Sequence, residues 1–174
     1  AMTRERERGT LENLLATPVR PLEVMIGKIL PYVLIGYMQV LLIYIASRVL
    51  FAVPMFGSRL LLSAAVLIFI VATLTVGFLF STIARTQMQS MQMTIFFFLP
   101  NILLSGFMFP FRGMPGWAQV VGEALPITHF LRIVRGVMLK GAGLSDVLPQ
   151  VWPMGLFILV VGALAMRRYR QTLD

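Results

Sequence analysis

Side chains able to do covalent or metal chemistry are scarce in this sequence. There is one histidine, His129, and no cysteine. A protein metal site gathers several His, Cys or carboxylate ligands, and no Cys, Asp or second His accompanies His129, so it reads as an interfacial polar residue. Gly27-Lys28 does not complete a phosphate-binding loop. Leu22 stands where the first glycine of G-x-x-x-x-G-K-[ST] belongs, and Ile29 where its hydroxyl belongs. No nucleophile elbow and no zinc-binding His-Glu-His helix occurs. No apolar run carries an acid in its middle, which disfavours a proton- or sodium-driven transporter. Catalytic residues, metal and cofactor are therefore all assigned as none.

Two constellations remain. In Thr3–Thr17 the charges Arg4, Glu5, Arg6, Glu7 and Arg8 come early, and Leu11, Leu14 and Leu15 follow at i, i+3, i+4. That spacing predicts a short amphipathic helix with a charged and a leucine face. Thr17-Pro18 and Arg20-Pro21 end it. Further on, Gln87, Ser90, Thr94, Asn101 and Ser105 fall 3, 4, 7 and 4 apart, on one face of a helix. A polar stripe in hydrocarbon must meet water or another helix. It either glues two helices together or lines a route for a passing molecule.

The elements that hold these groups are membrane spans. Of 174 residues, 58% are hydrophobic and 13% charged, the net charge is +8 and the mean hydropathy is +0.85. So apolar a chain is neither disordered nor, at this length, a soluble globule. The basic residues cluster at the ends of apolar runs, as membrane topology requires, so nucleic acid is not expected as a partner. Ile29–Ser47, Leu60–Ala84, Thr86–Phe111 and Val147–Met166 are free of charge over 19, 25, 26 and 20 residues. About 20 apolar residues cross a bilayer as a helix. The expected fold is all-α and polytopic: spans at 22–47, 60–84, 88–110 and 147–166, a helix over 3–17 on one side, and an interfacial helical hairpin over 111–146 on the other. Trp117 would anchor the hairpin at the interface, Pro126 would open its second helix and Gly141 would end it. The stripe Thr73, Gly77, Ser81 is expected to let the second span pack closely. Nine basic residues fall on the side of both termini and six on the other. With the cluster Arg167-Arg168-Tyr169-Arg170, this places both ends in the cytoplasm.

Three blocks carry a family resemblance. The run RERERGTLENLLATPVRPLEVMIGK, Arg4–Lys28, resembles the cytoplasmic coupling segment of type-2 ABC exporter permeases. LLSGFMFPFRGMPGWAQ, Leu103–Gln119, resembles their segment after the fifth span, and LPITHFLRIVRGVMLKGAGLSDVLPQ, Leu125–Gln150, the stretch leading into their last span. The resemblance implies a multi-pass permease of the cell (inner) membrane. It would pair with a second permease subunit, as a homo- or heterodimer, contact membrane lipid and dock on a separate P-loop ATPase subunit. Glu5, Glu7, Arg8, Gly9, Thr10 and Glu12 would then couple to the ATPase, and Thr94, Phe98 and Asn101 on the third span would line the substrate path. Such permeases have six spans, so the chain is expected to be a fragment lacking the first two. Spans rich in Phe and Met suit an amphipathic or apolar cargo, as in multidrug efflux. The alternative is a non-transporting scaffold that anchors a cytoplasmic partner.

Overall fold

A computed structural model of the chain describes residues 3, 4, 8, 18 and 20–171. Those residues are mostly helical, with no strand among them. From Pro21 on, six α-helices follow one another among the described residues: α1 (Pro21–Phe51), α2 (Arg59–Ile83), α3 (Gln87–Leu104), α4 (Gly116–Ala124), α5 (Pro126–Lys140) and α6 (Leu144–Gln171). A 3-10 turn, Phe111–Gly113, precedes α4.

Local chemistry sets the helix ends. Pro21 opens α1, where its missing N–H costs nothing, and the Arg20 N–H donates to the Glu23 carboxylate at 3.1 Å. Helix α1 ends at Ala52, held at φ 48°, with the Val53 N–H donating back to the Ser47 carbonyl at 3.2 Å. The Ser58 hydroxyl caps α2 by accepting from the Leu61 N–H. Thr86 and Gln89 form the start of α3. The Thr86 hydroxyl accepts from the Gln89 N–H at 3.2 Å, and the Gln89 side chain accepts from the Arg85 N–H at 2.8 Å.

Helices α1, α2 and α6 are long and apolar enough to cross a bilayer. The run expected as a span over 88–110 is not one helix. Helix α3 has 18 residues and stops at Leu104, because Gly106 takes φ +81° and turns the chain. At 1.5 Å per residue α3 is about 27 Å long, against about 30 Å of hydrocarbon. Helices α1 and α6 instead overrun 22–47 and 147–166 at both ends.

Helix α2 is the hub, packing against α6, α1, α5 and α3. Its buried face includes Ala65, Ala72, Thr75 and Val76. Gly162 of α6 faces Thr75, and a β-carbon there would lie in ordinary contact with its methyl group, at 3.7 Å. The stripe Thr73, Gly77, Ser81 does not pack in this way. Thr73 and Gly77 are exposed, and nothing lies within 4 Å of a β-carbon built on Gly77. Small residues permit close approach without compelling it, and α6 settled on the neighbouring face. Two apolar clusters hold the bundle. Val24, Phe78, Ala165 and Tyr169 form one; Ala65, Ile133, Val137, Val147 and Met154 form the other, where α5 meets α2 and α6. Most other large apolar side chains face outward, Leu60 and Phe96 among them, as suits a chain whose solvent is lipid.

Candidate functional site

The polar chemistry of the molecule gathers where α3 ends and α4 and α5 fold back. Ser105 closes α3. Its hydroxyl donates to the Ile102 carbonyl at 2.9 Å and accepts from the Phe107 N–H at 3.3 Å. Arg135 of α5 donates to the Gly106 carbonyl at 3.3 Å, so the turn after α3 is tied to the hairpin. Phe111 then packs against α4 at Gly122. A β-carbon on Gly122 would sit 2.5 Å from the Leu104 carbonyl oxygen and 2.7 Å from the Phe111 ring. Only glycine lets α4 lie this close to the end of α3.

Across the α4–α5 corner, Arg132 grips Glu123. Its two terminal nitrogens donate to the two carboxylate oxygens at 3.0 and 2.6 Å, the bidentate geometry that guanidinium favours. The same guanidinium lies 4.8 Å above the centre of the Phe111 ring, a cation–π contact. The Arg132 hydrogen bond holds the Glu123 carboxyl below its ordinary range. Partial burial opposes this, and the charges of Arg132 and His129 add to it.

His129 is not an interfacial polar residue, as expected from its isolation in the sequence; it is buried, at 4% exposure. Its Nε2 lies 2.7 Å from the Glu123 carbonyl oxygen. That oxygen can only accept, so Nε2 carries a proton. Nδ1 meets the Gln150 side-chain amide of α6 at 2.7 Å. One imidazole thus joins α4, α5 and α6. The signal was indirect: i, i+3, i+6 spacing puts His129, Arg132 and Arg135 on one side of α5, but their partners Glu123, Gln150 and Gly106 lie beyond breaks in the chain. Thr128 beside it is buried, and its hydroxyl has no hydrogen-bond partner.

The three residues expected along a path divide by depth. Thr94 is exposed, with its hydroxyl turned onto the Ser90 carbonyl at 2.9 Å. Phe98 is 58% exposed, while Asn101 is 6% exposed and donates to the Phe97 carbonyl at 2.8 Å. Thr94 and Asn101 share a helix face by spacing, yet the hairpin covers only the last turns of α3. Phe97 meets Phe80 of α2 edge to face at 5.6 Å. Of the residues expected to couple to an ATPase, Arg8 is exposed. Its N–H donates to the Arg4 carbonyl at 3.2 Å. Glu5, Glu7, Gly9, Thr10 and Glu12 lie outside the described residues.

No cluster of three or more potential metal ligands occurs among the described residues. The arrangement is mechanical: a short helical hairpin pinned by charge to the end of one long helix and by an imidazole to another.

The chain is 31% identical over 171 residues to the probable multidrug ABC transporter permease YbhR of Escherichia coli (strain K12), covering 98% of this chain and 46% of the relative. It is 34% identical over 179 residues to the inner membrane transport permease YhhJ of the same organism, covering 99% and 46%. The probable multidrug ABC transporter permease YbhS is 34% identical over 163 residues, covering 93% and 42%. The chain thus spans about half the length of the curated relatives it matches. No solved structure matches it. The family model described as ABC-2 type transporter matches residues 1–139, a stretch running from the charged N-terminal segment through α1, α2 and α3 to the last turn of α5, and the chain therefore belongs to the ABC-2 type transporter family.

Proposed function

We propose that this chain is part of the permease subunit of an ATP-driven exporter, a multi-pass protein of the inner membrane with both ends in the cytoplasm. The observation that carries the reading is the family match over 1–139, which joins the charged segment ahead of α1 to the pinned hairpin after α3. These 174 residues hold no phosphate-binding loop, and in this reading ATP hydrolysis belongs to a separate P-loop subunit. Glu5, Glu7, Arg8, Gly9, Thr10 and Glu12 dock on that subunit. ATP binding favours one arrangement of the assembly over the other, and the permease follows by rigid-body movement. A second permease subunit completes the path. Helix α3 contributes Thr94 and Phe98 to it, and Asn101 marks where the path meets the hairpin. The names of the relatives YbhR and YbhS, multidrug permeases, favour an amphipathic cargo.

The test is transport by the full-length permease and its ATPase in proteoliposomes, with a fluorescent amphipathic cation as cargo. ATP-dependent accumulation is expected, and Phe98→Ala should change the ranking of a panel of cargoes with little loss of folded protein. Accumulation that does not depend on ATP refutes the reading.

A further inference from the structure

Where α1 and α2 approach the Ala52–Ser58 connection, they part to leave an open groove of about 250 Å³. Its walls are apolar, with Val40 and Leu41 on α1 facing Leu62 and Val66 on α2. At its base the Tyr37 hydroxyl donates to the Ser63 carbonyl and lies 3.1 Å from the Ser63 hydroxyl, so these polar groups satisfy one another. Two polar side chains remain on its lining, Tyr44 and Arg59. Arg59 is the first residue of α2 and is exposed. Among the described residues its guanidinium has no hydrogen-bond or ion-pair partner.

The next charged residue after Tyr44 on α1 is basic: Arg48 lies in the last turn of the helix and donates to the Val53 carbonyl at 3.0 Å. The described acids are engaged elsewhere: Glu23 on the Arg20 N–H, Glu123 on Arg132 and Asp146 on the Gly143 N–H.

We propose that this groove binds an anionic phospholipid, with its phosphate on Arg59, the Tyr44 hydroxyl beside it, and one acyl chain laid between α1 and α2. Guanidinium offers a planar fork of donors matched to phosphate oxygens. The groove is smaller than the roughly 300–1,000 Å³ of a pocket that encloses a drug-sized molecule, and it is open along one side, as a site for a single acyl chain would be. A neutral amphiphile would leave the guanidinium unpaired. A zwitterionic lipid would bring an ammonium group close to Arg48, one turn beyond Tyr44 on α1. Free phosphate would leave the apolar walls unused.

The test is native mass spectrometry of the full-length protein released from detergent with phosphatidylglycerol or phosphatidylcholine of the same acyl chains. A third arm adds inorganic phosphate. Wild type should retain phosphatidylglycerol in preference to phosphatidylcholine, and inorganic phosphate should not displace it. Arg59→Gln should cut phosphatidylglycerol retention about fivefold, the contribution of one interfacial basic residue toward an anionic lipid, and leave phosphatidylcholine unchanged. Leu41→Trp, which fills the groove from an exposed position, should cut retention of both. Both sites are exposed, so both variants fold, and an unchanged melting temperature verifies it. Arg59→Gln retaining phosphatidylglycerol as wild type does, or Leu41→Trp leaving retention intact, overturns the proposal. So does displacement by inorganic phosphate.

Discussion

Replacing Gly122 by alanine adds a single methyl group at the tightest approach in the hairpin. The new carbon would lie 2.5 Å from the Leu104 carbonyl oxygen and 2.7 Å from the Phe111 ring, against an ordinary contact of 3.4 Å or more. The Leu104 oxygen belongs to the end of α3 and cannot swing aside, so α4 must retreat by about 0.9 Å. Overpacking of this kind costs about 1–3 kcal/mol. Alanine also favours the helix over glycine by up to about 1 kcal/mol, which must be separated from the clash. Gly77→Ala provides the reference, because nothing lies within 4 Å of its β-carbon. It should leave stability unchanged or raise it. The two variants should therefore differ by about 1–3 kcal/mol, the packing contribution alone. Thermal unfolding of the full-length protein in detergent reads the difference, at less than roughly 2–4 °C per kcal/mol, the value for chains of 150–250 residues. Equal melting temperatures for the two variants would refute the claim that α4 is seated on α3 through Gly122.

Four further outcomes follow from the same geometry. Thr128→Val removes a buried hydroxyl that has no partner among the described residues and should raise stability by about 1 kcal/mol, read as a higher melting temperature; a fall would mean that the hydroxyl is satisfied. Glu123 has a carboxyl held low in the folded state, so its stabilisation is present above the unfolded value near 4.5 and is lost as pH falls through the lowered folded value. With the carboxylate 46% exposed the gain is below about 1 kcal/mol. Glu123→Gln should flatten the acid side of the stability profile, and a profile unchanged by that substitution counts against the pair. Asn101→Leu should lower the melting temperature and leave the cargo ranking alone if the burial of Asn101 reflects structural packing; altered ranking at full stability would place Asn101 on the path. Single cysteines at Gly116 and Gln171 should label from opposite sides of the membrane, and labelling from one side would overturn the proposed topology.

The helical fold was legible because hydropathy is a one-dimensional signal. Charge-free runs mark apolar helices, Pro126 and Gly141 bracket α5, and Pro21 opens α1. The end of α3 was not legible. Phe107, Met108 and Phe109 are as apolar as the helix before them, and the break lies in the backbone of Gly106, which composition does not register. Nor did spacing tell packed faces from bare ones. Thr73-Gly77-Ser81 has the right residues for close approach, but Gly162 lets α6 settle against Thr75 instead. Thr94 and Asn101 share an angle on α3 and differ in depth, which only the position of the hairpin decides. The pairs Glu123–Arg132 and His129–Gln150 escaped a reading of single helices because each crosses a break in the chain. The lone His129 offered no second ligand, and the same isolation concealed its role as a buried joint.

The central claim is that this permease works through a separate ATPase docked on its charged N-terminal segment. Affinity purification of the tagged full-length protein from its native membrane measures it most directly, with wild type compared to the double variant Glu7→Lys and Glu12→Lys. The account predicts that a P-loop ATPase copurifies in stoichiometric amount with wild type and is lost from the double variant, which still inserts in the membrane. A permease that purifies without any ATPase, or a double variant that retains it fully, would contradict the account.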